Sequence, residues 1–343
     1  MSSSFINLAS DQEALVSMLT RMNMLAAGEV PQVHQLKGGV SSDIVRIDVG
    51  PASFCLKQAL PTLKVAKEWH APVERVFEEI AWLRQAAAIV PMHVPKILGV
   101  DSETGSFLME YLPEQEFQNW KEALLRGEVT PGVASELGRI LNQIHSQTAD
   151  NAAIIDVFDK PFNAHNIMAI RLDPYLRETG RQHPARAAYF EMLVQSFMDH
   201  KLCLVHGDVS PKNILIGPNG PVILDAECAC YGDPAFDVAF LLNHLLLKAA
   251  FCPQSARAYG DEYSGFVTAY FADISWESKS ALETRVAQLL PALLLARVDG
   301  KSPVEYLTED QRSKTRQRAL QLLDRQATSL TDIQSFWIDQ ETK

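Results

Sequence analysis

Apolar positions along the chain change period several times, and each change marks an element. Leu15, Met18, Leu19 and Met22 recur at helical spacing after Ser10, Asp11, Gln12 and Glu13, which read as a capping box opening a first helix. Period two follows in VHQL (33–36), in IVRIDV (44–49, with Val45, Ile47 and Val49 on one face) and in SFCLKQAL (53–60). Residues 37–43 and the turn Gly50-Pro51 separate these runs, which predicts an antiparallel meander. From Pro72 to about Ala88 the period is helical again, with Val73, Val76, Phe77, Ile80 and Leu83 sharing a face. VPKILGVD (94–101) and SFLMEYL (106–112) predict two more strands around Glu103, Thr104 and Gly105.

Beyond Pro113 the pattern is mainly helical, strongest in ELGRILNQIHS (136–146) and AAYFEMLVQSFM (187–198). One compact β-element interrupts it: LCLVHGD (202–208), NILI (213–216), a turn at 217–220 and PVILDAE (221–227). Everything after Phe236 reads as helix. The expected organisation is therefore a β-rich lobe over 1–112 and a mostly helical lobe over 113–343, an α+β arrangement of two lobes around a cleft. Clefts of that kind are where small molecules usually bind.

Composition narrows the classes. The chain has 343 residues, 47% of them hydrophobic, enough for a large core, which excludes disorder as the main state. Its net charge is −11 without long basic runs, so nucleic acid and anionic membranes are poor partners. The most apolar segments, AFLLNHLLLKAAF and QLLPALLLARV, are too short to span a bilayer. Five scattered cysteines (55, 203, 228, 230 and 252) lack zinc-finger spacing. Cys228 and Cys230 could bind metal or react, but read better as small buried hydrophobes. With no basic segment leading into an apolar one at the start, a cytoplasmic setting is expected.

Candidate chemistry concentrates in one segment. In HGDVSPKN (206–213), Asp208 precedes Asn213 by five residues in a loop leaving a strand. Asp225 of LDAE returns on the far side of a tight hairpin. This arrangement suits magnesium-dependent phosphoryl transfer: Asp208 as base, Asn213 and Asp225 as oxygen ligands of the metal. Each alone also reads as a cap or a strand end.

HGDVSPKN and LDAE resemble the catalytic and metal-binding loops of the aminoglycoside phosphotransferase/choline kinase family, a branch of the protein-kinase-like fold. The Asp-Ala-Glu form is similar to the methylthioribose-kinase-like side of that family. The resemblance runs from about Val33 to Leu247. It implies a bilobal protein-kinase-like fold, with one main helix in the β-rich N-lobe and a mostly helical C-lobe. It also implies ATP and Mg²⁺ as cofactors, with Glu227 sharing the metal. Lys57, in the third strand, is then the lysine that contacts the nucleotide's α- and β-phosphates, held by a helix glutamate. Helical angles favour Glu79 for that partner, with Glu78 and Glu74 in reserve.

Ser41 and Ser42, in a loop that is no Walker A motif, would cradle phosphates, and the same residues read equally as a plain hairpin turn. Backbone at Glu110, Tyr111 and Leu112 would meet the adenine. His206 and His145 read as structural, and Asp237 as a cap or a buried acceptor for the catalytic loop. For the acceptor site, Arg297, Asp299 and Lys301 interrupt an apolar helix, although an ordinary helix end capped by Gly300 explains them as well. Asp233 is a weaker candidate.

These expectations describe a kinase acting on a small hydroxylated molecule: a sugar, an amino alcohol or a hydroxy acid derivative. An aminoglycoside-modifying resistance kinase is one alternative, which Arg297 and Lys301 weakly oppose. A nucleotide-binding regulator without transfer is another, opposed by the intact set of Lys57, Asp208, Asn213 and Asp225. A homodimer through the helices after residue 280 and the choice between ATP and GTP are both left open.

Overall fold

The computed structural model describes residues 5–26, 28–36, 42–62 and 72–342. Contacts divide the chain into two units, Met1–Glu116 and Phe117–Lys343.

The first unit holds helix α1 (Gln12–Arg21), strands β1 (Gln32–Gln35), β2 (Ser42–Val49) and β3 (Ala52–Ala59), helix α2 (Arg75–Ile89), and strands β4 (Ile97–Asp101) and β5 (Ser106–Glu110). All pairings in its five-stranded sheet are antiparallel, in the order β1-β2-β3-β5-β4. Alternation decides which face each side chain serves. Val45, Ile47, Val49, Leu56 and Leu108 bury against Leu15, Met18 and Leu19 of α1. Each such apolar side chain contributes about 1.5–3 kcal/mol on leaving water. Lys57, one residue from Leu56, points to the opposite face and meets α2.

Two local expectations are corrected. The cap of α1 is Asp11, whose carboxylate accepts from Ala14 N at 3.0 Å, because Ser10 Oγ instead donates to Asn7 O. On α2, Phe77 is exposed while Arg75, Glu79 and Trp82 are buried with Val76 and Ile80. The polar groups enter that face because they find partners there: Arg75 donates to Leu60 O and Glu79 accepts from Lys57.

In the second unit, strand β6 (Gln118–Asn119) leads into helices α3 (Trp120–Leu125), α4 (Val133–Thr148), α5 (Ala152–Phe158) and α6 (Pro161–Ile167). Residues Met168–Arg177 continue α6 in wide, π-type turns that accommodate Pro174, and α7 (Glu178–Gln182) and α8 (Ala187–Asp199) follow. Next come β7 (Cys203–Val205), β8 (Ile214–Gly217), β9 (Gly220–Ile223) and β10 (Cys230–Gly232). Helices α9 (Ala235–Phe251), α10 (Ala256–Tyr270), α11 (Lys279–Asp299), α12 (Glu309–Asp324) and α13 (Leu330–Glu341) complete the unit.

The apolar α9 is buried over nearly its whole length, with α10, α11, α12 and α13 packed against it. Helices α4 and α10 approach closely at Gly138, where a Cβ would lie 2.7 Å from Phe266 O. β7 pairs with β10, and β6, β8 and β9 form a second small sheet. All five cysteines are buried and none forms a disulfide. Among the described residues no helix is long and apolar enough to cross a membrane.

Candidate active site

In the first unit, Lys57 Nζ lies 2.7 Å from Glu79 Oε2, and both side chains are almost fully buried. Of the three glutamates considered on this helix, Glu79 is the one paired with Lys57, because Glu74 is exposed at the helix start and Glu78 points off the packed face.

In the second unit, β7 delivers the chain into a buried loop that carries Asp208. Asp237, at the start of α9, accepts from His206 N at 2.7 Å and Gly207 N at 2.8 Å. Asp208 N donates to His206 Nδ1 at 3.1 Å, which leaves Nε2 carrying the proton to Leu224 O, also 3.1 Å away. Burial holds the His206 imidazole below its ordinary basicity, so it stays neutral and ties the loop to the β8–β9 hairpin. His145 is buried behind it, with Nδ1 2.7 Å from Tyr270 OH and Nε2 3.4 Å from Asp237.

Gly207 has φ +78°, and a Cβ there would lie 2.8 Å from Cys228 Cβ. Gly207→Ala therefore combines a left-handed backbone penalty with a clash. It is expected to cost about 2 kcal/mol or more in denaturant melts, with activity falling further than stability because Asp208 is the next residue.

Asp208 Oδ2 lies 2.6 Å from Arg171 Nη2 and 3.1 Å from Lys212 Nζ. Burial pushes this carboxyl up, but the two cations outweigh it and hold it below the usual carboxylate range. Arg171 comes from the wide-turned segment before α7 and is further fixed by donating to Gly207 O at 2.9 Å. Nothing in NIMAIRLDPYL distinguishes this arginine from a solvated helix charge, so sequence reasoning missed it. Lys212 had a signal, its i+4 spacing from Asp208.

Asn213 Nδ2 donates to Asp208 O at 3.0 Å, which engages the amide nitrogen and leaves the carboxamide oxygen as the group able to ligate. The hairpin register pairs Ile214 with Ile223, and Leu224 N donates to Asn213 O at 2.9 Å, bringing Asp225 beside Asn213. A model of the phosphotransferase enzyme family matches residues 32–273, a span that includes both Lys57 and this loop.

The chain belongs to that phosphotransferase family.

Its curated relatives include the methylthioribose kinase of Bacillus cereus, 24% identical over 269 residues that cover 70% of this chain. The match spans 66% of that enzyme's length. Among solved structures, a choline/ethanolamine kinase family protein from Mesorhizobium loti superposes with a TM-score of 0.53 at 17% identity, over 96% of this chain and 98% of its own. The ethanolamine kinase of Plasmodium vivax superposes with a TM-score of 0.57 at 11% identity, over 95% and 93%. At such identities the likeness is one of fold: this phosphotransferase-family chain is a two-lobed α+β protein of the kinase-like kind.

The donors available for a metal are all oxygens, the Asn213 carboxamide and the Asp225 carboxylate, which suits a hard cation such as Mg²⁺. Asp225 sits at φ +68°, a left-handed backbone that aspartate tolerates at a cost on the order of 1 kcal/mol. Glu227 is buried two residues further on, where its carbonyl accepts from Asn166. Among the described residues no three His, Cys, Asp or Glu side chains converge closely enough to hold a metal by themselves.

The remaining predicted site residues are less uniformly disposed. Ser41 lies outside the described residues; Ser42 opens β2 and is buried. Glu110 ends β5 and accepts from Lys96 N at 2.9 Å; Arg46 lies over the Tyr111 ring at 5.0 Å; Leu112 is half-buried. The acceptor candidates do not form one cluster. Asp299 is held by His183 and Arg316, each at 2.7 Å, and Asp233 by Arg285 at 2.9 Å, so these carboxylates pin helices together. Lys301 N donates to Pro174 O at the end of α11. Arg297 alone of this set turns toward Tyr175, the ring beside Arg171.

Proposed function

We propose that the protein is an ATP- and Mg²⁺-dependent phosphotransferase that moves the γ-phosphoryl group to a hydroxyl of a small metabolite. The observation that carries this reading is Asp208: a buried carboxylate, kept ionised by Arg171 and Lys212, in a loop whose next oxygen donors are Asn213 and Asp225.

A carboxylate this acidic does not deprotonate an alcohol in the ground state. Asp208 accepts a hydrogen bond from the acceptor hydroxyl, aims its oxygen, and takes the proton as the bond to phosphorus forms. Lys57, oriented by Glu79, binds the nucleotide's phosphates. Asn213 and Asp225, with Glu227, would hold Mg²⁺, which when bound neutralises phosphate charge. Catalysis of this kind is mostly positioning and charge stabilisation.

The test is ATP consumption by the purified protein on a panel of hydroxylated metabolites, including methylthioribose, amino alcohols, hydroxy acids and an aminoglycoside. Mg²⁺-dependent turnover with at least one metabolite is expected. Nucleotide binding without turnover on any of them would favour a regulator of the same fold, and turnover on the aminoglycoside alone would favour a resistance enzyme.

A further inference from the structure

Helix α9 buries two basic side chains one turn apart, His244 and Lys248, inside an otherwise apolar sequence. Among the described residues neither makes a hydrogen bond or an ion pair; Lys248 Nζ lies 3.8 Å from the centre of the Tyr306 ring, and His244 packs edge-on against Phe240. From α11, Arg297 adds a guanidinium whose Nε is buried without a partner, and the Tyr306 hydroxyl is buried without one as well. Arg297 Nη1 donates to Tyr175 OH at 3.1 Å and also bonds Ser302, and among the described residues Arg297 has no carboxylate partner. Among the described residues, Glu305 is the acidic group whose charge bears on Lys248, and it is engaged by Lys121 at 2.5 Å.

Burying unpaired positive charge is costly, and Lys248 and Arg297 repel each other within this cluster. An apolar helix would be more stable with leucine or methionine at 248. The cluster also lies close to the proposed transfer site. A single ring, Tyr175, separates Arg297 (5.4 Å from its centre) from Arg171 (6.0 Å), and Arg171 is the residue paired with Asp208.

We propose that His244, Lys248, Arg297 and Tyr306 form an oxyanion-binding subsite, so that the acceptor is an alcohol carrying a carboxylate or phosphate away from its reacting hydroxyl. The acceptor half of this statement rests on the phosphotransferase reading; the anion site itself does not. Burial, with Lys121 and Arg297 nearby and Glu305 opposing them, brings the Lys248 ammonium down to about 7. The neighbouring His244 is kept neutral by burial and by Arg297, Lys248, Lys212 and Lys121. A bound anion would restore the charge of Lys248, so its affinity should weaken as pH rises above about 7.

The experiment compares wild type with Lys248→Met by the shift in melting midpoint with inorganic phosphate, 4-hydroxybutyrate, 3-hydroxypropyl phosphate, the neutral 4-hydroxybutyramide and choline, at matched ionic strength. Mg-ATP affinity is measured in parallel. The anions should bind wild type at least ten-fold more tightly than the amide or choline. Lys248→Met should melt no lower than wild type and lose that preference. Equal binding of amide and carboxylate, preference for choline, no anion-dependent shift in wild type, or an unchanged preference in Lys248→Met would each overturn the subsite. Anion binding without turnover of any anionic alcohol would leave the subsite standing and count against the phosphotransferase reading instead.

Discussion

Asp208→Asn is expected to lower kcat by about three orders of magnitude while Mg-ATP affinity changes by no more than a few-fold. The substitution keeps the side chain's shape and removes its capacity to take a proton. It also leaves Arg171 buried beside a neutral amide, so a stability loss of about 3 kcal/mol should accompany the catalytic one. The two effects separate by measurement: turnover at saturating substrates reports the first, and denaturant unfolding the second. Near-normal turnover in a folded variant would remove Asp208 from the mechanism. The pairing also predicts an acid response. Because the folded carboxyl is held below its unfolded value of about 3.9, its contribution to stability is present above that pH and fades only as pH falls further.

Breaking the other buried pair should be comparably severe. Lys57→Met removes the buried ammonium that Glu79 meets at 2.7 Å between β3 and α2, at a cost of about 3–5 kcal/mol. The double variant Lys57→Met with Glu79→Leu replaces both charges by apolar groups and should recover most of that loss. Activity should not return with it, because the ammonium proposed to bind the nucleotide's phosphates is still missing. Thermal melts of the single and double variants, alongside Mg-ATP titrations, check both halves. Recovery of turnover in the double variant would reduce Lys57 to a structural residue.

Much of this fold was legible because its signals are local. Alternation at Val45, Ile47 and Val49 marks β2 and its buried face, and the turn at 217–220 closes the β8–β9 hairpin in the register that sets Asp225 beside Asn213. What escaped were features decided by tertiary partners. Phe77 belongs to the apolar stripe by angle, yet Glu79 and Arg75 are buried because Lys57 and the Leu60 carbonyl await them. Arg171 and Asp208 are separated by 37 positions in sequence, and no spacing rule connects them. Asp299 looked like a binding group because it interrupts an apolar helix, and Asp233, more weakly, because it follows the metal-binding loop. Their partners, Arg316 and Arg285, lie on helices whose docking the sequence does not reveal. Lys248 lies within the apolar run AFLLNHLLLKAAF, whose pattern says nothing of what its side chain meets.

The buried cysteines have a practical consequence. Burial pushes the Cys55 thiol up to about 12 and those of Cys203 and Cys228 well above the ordinary value, so almost no thiolate is present at neutral pH. Cys230 and Cys252 are equally hidden from solvent. Toward maleimides the native protein should therefore behave as if it contained no cysteine. A single cysteine introduced at an exposed position such as Met92 would become the sole attachment point for a fluorophore, without first stripping the five natural ones from the core.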